Sequence, residues 1–180
     1  MTAPPLTVAE VNSMGRAEFV ERFGAIYEKS PWVAEAAWNA RPFADREALE
    51  SALAQVVRNA SHARQLELLH LHPRLGTRLA LSGYSRSEQA GAGLLDAGAA
   101  ERAELTQLNS AYEAKFGFPF ILAVRNADTR SILDSCRTRI SHEATSEFDE
   151  SLRQVFRIAH FRLSDLLEST ARTGAGRRRT

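Results

Sequence analysis

The chain has 180 residues, 44% of them hydrophobic, enough for one globular domain that buries about two-thirds of its unfolded surface without cross-links. Its single cysteine, Cys136, rules out an internal disulfide and a multi-cysteine zinc framework, and fits a reducing compartment. Formal net charge is +1, but Arg172, Arg177, Arg178 and Arg179 all follow Glu168, and without them the body carries 19 basic against 22 acidic residues. A short basic tail on a mildly acidic body is weak evidence for nucleic acid binding, which calls for a basic stripe on the fold itself. Residues 1–170 are therefore expected to form one domain and 171–180 a disordered basic tail. The start has no basic and apolar leader, and no run of about eighteen apolar residues occurs, so neither secretion nor membrane insertion is expected.

Taken in order, the chain reads as a series of helices. Thr7 with Glu10 three residues later forms a capping-box signature for a short first helix ending near Gly15. From residue 16 to about 29, Phe19, Val20, Phe23, Ile26 and Tyr27 recur at three- and four-residue intervals, the spacing of one helical face. Ser30-Pro31 predicts an N-cap followed by proline at the first helical position of a short helix with Trp32 and Ala36 inside, closed by Pro42. Asp45 is placed to cap a helix with Leu49, Leu53, Val56 and Val57 inward, and Ser61 to start another with Leu66, Leu69 and His70 inward. Pro73 ends that helix, because the residue before a proline is pushed out of the α region, and His72 falls at its terminus.

Ser85 with Glu88 predicts the next N-terminus, a capping box running into the small residues Ala90 to Gly93. After a Gly/Ala connector, Ala97 to Ala100, the positions Leu105, Leu108, Tyr112 and Phe116 are helical again, with Gly117 in the place of a left-handed terminator. Phe118 to Val124 is continuous apolar sequence and, with no second strand candidate to pair with, is expected to be a buried extended crossing or the start of a short helix. Asp128 is placed to cap a helix carrying Ile132, Leu133, Cys136 and Ile140. A long last helix runs from about 146 to 169 with Phe148, Leu152, Val155, Phe156, Ala159, Leu163 and Leu166 inside. The expected fold is an all-α single-domain bundle of about eight helices.

Chemistry concentrates between Leu71 and Gln89, the densest polar stretch in the chain. His72 sits at a helix terminus beside Pro73, which sets the direction in which the chain leaves. Ser85, Glu88 and Gln89 open the next helix, whose first N–H groups attract an anionic or carbonyl ligand. His70 and His72 form an H-x-H pair, but a continuing helix points them apart and no third ligand is supplied, so no metal site is expected. Arg162, between Phe161 and Leu163 in the last helix, is either an ion-paired surface residue or a fork-shaped clamp for ligand oxygens.

The stretches Leu71-His72-Pro73-Arg74-Leu75-Gly76 and Ser85-Arg86-Ser87-Glu88-Gln89-Ala90-Gly91, then Leu108-Asn109 through Tyr112 to Lys115-Phe116-Gly117-Phe118-Pro119-Phe120-Ile121, closely resemble the 2-oxo-4-hydroxy-4-carboxy-5-ureidoimidazoline (OHCU) decarboxylases of urate degradation. The resemblance implies an all-α, cofactor-free, dimeric enzyme that converts OHCU to (S)-allantoin. It makes His72 the catalytic histidine, puts Pro73 in the pocket lining and Ser85, Glu88 and Gln89 against the substrate, with backbone contacts from Phe120, Ile121, Leu122, Ala123 and Val124, and matches Arg162 to the family's late arginine. The catalytic set expected from this is His72 with Glu88 as its acid/base partner, in either order, and Arg162. Ser85 is placed by counting back from Glu88-Gln89, since the connector after His72 is shorter than in many members. Loss of carbon dioxide leaves electrons beside a ring C=N, so the substrate is its own electron sink and the protein has only to orient it and move protons.

On the residues alone, two other classes stay open: a helical binding module presenting the Leu71 to Gln89 loop, and a metal hydrolase built on His70 and His72. The C-terminal Arg178-Arg179-Thr180 is not a peroxisomal address, and the cytoplasm is the expected location.

Overall fold

The computed structural model describes residues 5–76, 82–94 and 96–167; the basic tail lies outside them. Among the described residues there are nine α-helices, one more than the pattern suggested, and no strand beyond a single isolated bridge between Leu6 and Leu167. No described helix is long and apolar enough to cross a membrane.

Helix α1 (Val8–Ser13) carries the expected box. The Glu10 N–H donates to Thr7 Oγ1 at 3.2 Å, and the Thr7 N–H donates to the Glu10 carboxylate at 2.7 Å. Helix α2 (Arg16–Phe23) is shorter than its apolar spacing predicts. The chain leaves the helix at Gly24, and Ile26, Tyr27 and Glu28 are buried in a turn that ends with Lys29 at φ 47. The periodicity continued past the helix because the turn buries the same side chains against the same core. Helix α3 (Trp32–Ala37) has Pro31 at its cap, one position before the predicted place, and buries Val33, Ala34 and Ala37 while Ala36 stays exposed. Asp45 and Ser61 cap α4 (Arg46–Arg58) and α5 (His62–Leu71), accepting the N–H of Ala48 at 2.7 Å and of Arg64 at 3.3 Å. In α5 the buried pair is Leu68 and Leu69; His70, expected inward, is exposed.

Helix α6 (Gly83–Gly91) begins before Ser85, whose capping role is taken by Ser82: the Ser85 N–H donates to Ser82 Oγ at 3.2 Å. Helix α7 (Ala99–Phe116) starts inside the expected connector, and Gly117 ends it at φ 80, as a left-handed terminator must. Asp128 caps α8 (Thr129–Arg139), and α9 (Ala144–Leu166) closes the domain. Helix α3 packs on α4 and α7 on α8, while α9 touches α4, α5 and α7.

The buried stripe of α9 is not the purely apolar one that the sequence suggested. It includes Glu147, Ser151, Gln154 and Arg162 beside Val155, Ile158, Ala159 and Leu163, while Phe148, Leu152, Phe156 and Leu166 are only partly covered. Gln154 directly, and Glu147 through Arg139 of α8, hold segment 118–124, which crosses the core in extended form. Arg139 Nη1 donates to the Ile121 carbonyl at 2.6 Å, and the Ala123 N–H donates to Gln154 Oε1 at 3.0 Å. Arg139 is itself fixed by Glu147 (Nε to Oε1, 2.8 Å), whose carboxylate also accepts from the Tyr112 hydroxyl and bonds His142 Nδ1 at 2.8 Å.

Removing one member of such a buried pair leaves an uncompensated charge. Glu147→Ala is therefore expected to lower stability by about 3–5 kcal/mol in urea unfolding. A loss below about 1 kcal/mol would show that the network does not hold the segment.

Candidate active site

Three elements converge on a small cavity lined by His72 and Pro73 from the end of α5, by Ser85, Glu88 and Gln89 from α6, and by the extended segment. Arg162 and Ile158 of α9 close its floor.

His72 is the C-cap of α5 and 6% exposed. Its Nδ1 lies 2.9 Å from the Leu68 carbonyl one turn earlier. A carbonyl only accepts, so Nδ1 carries the proton and the neutral ring keeps its lone pair on Nε2. Burial pushes the imidazole down to about 4, against the Leu68 hydrogen bond, with the Arg162 charge lowering it further and Glu28 and Glu88 opposing. The ring is therefore neutral at physiological pH. The chain after it is pinned by the Gly76 N–H donating to Gln89 Oε1 at 2.8 Å and by Asn109 Nδ2 donating to the Leu75 carbonyl at 3.0 Å. Gly76 is at φ 79, a left-handed conformation that strains any side chain and so calls for glycine; an added Cβ would also press Leu105 Cδ2 aside.

With Ser82 as the cap, Glu88 lies in the second turn of α6, not the first. Ser85, Glu88 and Gln89 are spaced i, i+3, i+4 and so share one face, turned toward the cavity. The interval read as a capping box is here the interval of a binding face.

Arg162 is 1% exposed and engages every donor of its guanidinium with protein acceptors. Nε and Nη2 grip Glu88 bidentately at 2.7 and 2.9 Å; Nη2 also reaches Glu28 Oε2 at 3.1 Å and Ser85 Oγ at 3.4 Å. Nη1 donates to the carbonyls of Ala25 and Ile26, both at 3.3 Å. Glu28, which sequence reasoning missed, is 1% exposed behind the cavity wall. Burial raises its carboxyl, but the Arg162 charge and the Ser85 and Ser82 hydroxyls outweigh that and leave it below the ordinary 4.5.

Of the extended segment, Phe120, Ile121, Leu122 and Val124 line the cavity, while Ala123 turns its N–H to Gln154. Leu75 and Ile158 line it as well, two apolar residues without a distinguishing mark in the sequence. His70 is exposed and does not line the cavity, and among the described residues no group of three His, Cys, Asp or Glu is placed to hold a metal ion. Cys136 is buried outside the cavity, and burial pushes its thiol up to about 11.

The neutral His72 has a consequence for stability. Its folded value lies below the ordinary 6.5, so as pH falls from about 6.5 to about 4 the unfolded chain takes up a proton that the folded chain refuses, and stability is lost over that window. Glu28 acts in the same sense lower down, its contribution present above about 4.5 and lost as pH falls through its depressed folded value. His72→Asn is expected to lose less Tm than the parent between pH 6.5 and 4. An identical loss in both proteins would contradict a buried neutral ring.

The OHCU decarboxylase family model matches residues 12–164. An OHCU decarboxylase of Halalkalicoccus jeotgali is 41% identical over 161 residues, covering 89% of this chain and 92% of the relative. One of Haloferax volcanii is 39% identical over 164 residues, covering 91% and 98%. Among solved structures, an (S)-allantoin synthase superposes with a TM-score of 0.75 at 33% identity, over 92% of this chain and 55% of that one. An OHCU decarboxylase solved in the presence of (S)-allantoin shares the fold at a TM-score of 0.67 and 20% identity, over 86% and 100%. Matched over most of its length by the family model and by relatives that it covers almost end to end, the chain belongs to the OHCU decarboxylase family.

Proposed function

We infer that the protein decarboxylates OHCU to (S)-allantoin in urate degradation, without a cofactor. The observation that carries this reading is the convergence of His72 and Glu88, from two different helices, on one small cavity in a chain of this family. Decarboxylation breaks the C4–carboxylate bond, and the electron pair passes into the adjacent C=N system. The ring nitrogen that receives the pair takes a proton from solvent, the C4 hydroxyl gives one up as the carbonyl forms, and one arrives at C5 on a single face, which fixes the hand of the product. The Nε2 lone pair of a neutral His72 is suited to accept a proton, and the Glu88 carboxylate is the second group within the same cavity. A carboxylate beside the departing carboxylate destabilises the ground state more than the transition state, in which that charge is dispersing.

Arg162 serves this arrangement by holding Glu88: substrate oxygens would reach its guanidinium only by displacing Glu88 or Glu28. Pro73, Ser85, Gln89 and the 120–124 segment shape the pocket, with the Gln154 and Arg139 bonds leaving Leu122 and its neighbours to face the substrate. A homodimer in the cytoplasm, with residues 1–170 as the functional unit, completes the proposal.

The test is to generate OHCU in situ from urate and follow (S)-allantoin by circular dichroism, because the substrate also decays spontaneously to racemic product. His72→Asn and Glu88→Gln are each expected to cut turnover by about a hundredfold or more. A folded His72→Asn protein with parental rate and parental product handedness would refute the assignment.

A further inference from the structure

Glu28 is a buried carboxylate that the reaction as described does not use, yet it touches the catalytic apparatus on two sides. Its Oε2 accepts from Ser85 Oγ at 2.8 Å, Arg162 Nη2 at 3.1 Å and Ser82 Oγ at 3.2 Å. Its Oε1 is buried with no hydrogen-bond partner among the described residues. A carboxylate kept from water with half its acceptors idle is costly, and it stays ionised only because a guanidinium lies against it. It also lies in the turn after α2, far in sequence from α6 and α9, so its position depends on three separate parts of the chain.

We propose that Glu28 is a positioning residue for the decarboxylation: by sharing Arg162 with Glu88 and tying Ser82 and Ser85 at the start of α6, it sets where the Glu88 carboxylate stands and how much positive charge the cavity presents. The proposal rests on the reading of His72 and Glu88 as the proton-handling pair.

The charge count gives the physical content. One guanidinium faces two carboxylates, so neither holds it alone. With Glu28 neutral, Arg162 is left to Glu88, which is then gripped more tightly and yields less readily as substrate charge changes. The charged groups facing His72 are Arg162, Glu28 and Glu88, of which Arg162 disfavours the imidazolium and the two carboxylates favour it. Loss of the Glu28 charge therefore makes His72 a weaker base as well. A residue that merely fills the turn and ties down the start of α6 would affect unfolding without either consequence, since glutamine also accepts from Ser85 and Ser82.

The experiment compares Glu28→Gln, Glu28→Asp and His72→Asn with the parent as full chains, measuring Tm, kcat, KM and the pH dependence of kcat/KM with OHCU produced in situ by excess upstream enzymes. Glu28→Gln is expected to fold, to lose about tenfold in kcat with KM within about twofold, and to move the acid limb to lower pH by about half a unit. Glu28→Asp keeps the charge but withdraws it by one methylene, and is expected to keep the parental limb with an intermediate kcat. A folded Glu28→Gln with parental kcat and limb, beside an inactive His72→Asn, overturns the role of Glu28 and leaves the site reading standing. A fully active His72→Asn overturns the site reading and this proposal with it. Should Glu28→Gln fail to fold, Glu28→Asp decides: an intermediate kcat at parental Tm supports the proposal, and a parental kcat overturns it.

Discussion

The structure is organised around a positive charge that has no access to water. Arg162 is the largest fully buried side chain among the described residues, and an unpaired cation in that position would not be tolerated. Its compensation comes from the turn after α2, through Glu28 and the carbonyls of Ala25 and Ile26, and from α6, through Glu88 and Ser85. Three distant stretches are thereby brought together, and the cavity is the space beside that junction. Such a pair is expensive to desolvate and adds little net stability against an apolar replacement; its value lies in orientation. Glu88 is delivered to the cavity in one geometry because both of its oxygens are held.

A second buried pair, Arg139 with Glu147, performs a related task at the other end of α9. It and Gln154 fix the extended segment, which has no neighbouring strand to satisfy its backbone. One helix therefore supplies the support for both walls: Arg162 toward α6, and Glu147 with Gln154 toward Phe120 to Val124. His72 stands between them at the end of α5, its tautomer set by Leu68 and its charge suppressed by burial. A neutral base, a fixed carboxylate and an apolar wall suit a reaction in which the substrate supplies the electron sink.

Misreadings of the sequence have a common source. Ser85 and Glu88 are separated by the interval of a capping box, but i to i+3 is also the spacing of one helical face, and Ser82 lay close enough to take the cap. Ile26 and Tyr27 extended an apolar period beyond the true end of α2 at Phe23, because burial in a turn and burial on a helix leave the same pattern of residue types. Glu28, in the same turn, drew no reading at all from the sequence. Its only mark was a place between Tyr27 and the Ser30-Pro31 pair, and nothing local distinguishes a carboxylate that meets an arginine from one that meets water.

By itself the sequence determined the helical class, most helix ends and the position of His72 at a terminus, while segment 118–124 stayed open between an extended crossing and a short helix. These depend on local rules: Thr7, Asp45, Ser61 and Asp128 cap because their oxygens meet N–H groups within three residues, Pro73 excludes the α region before it, and Gly117 adopts a positive φ. Its motifs also carried the family resemblance. Only the tertiary structure decided that Arg162 is buried, that Glu88 and Glu28 share it, and that Gln154 and Arg139 hold the opposite wall. Those are meetings between groups remote in the chain, and their partners are chosen by which charges are left without water once the helices pack.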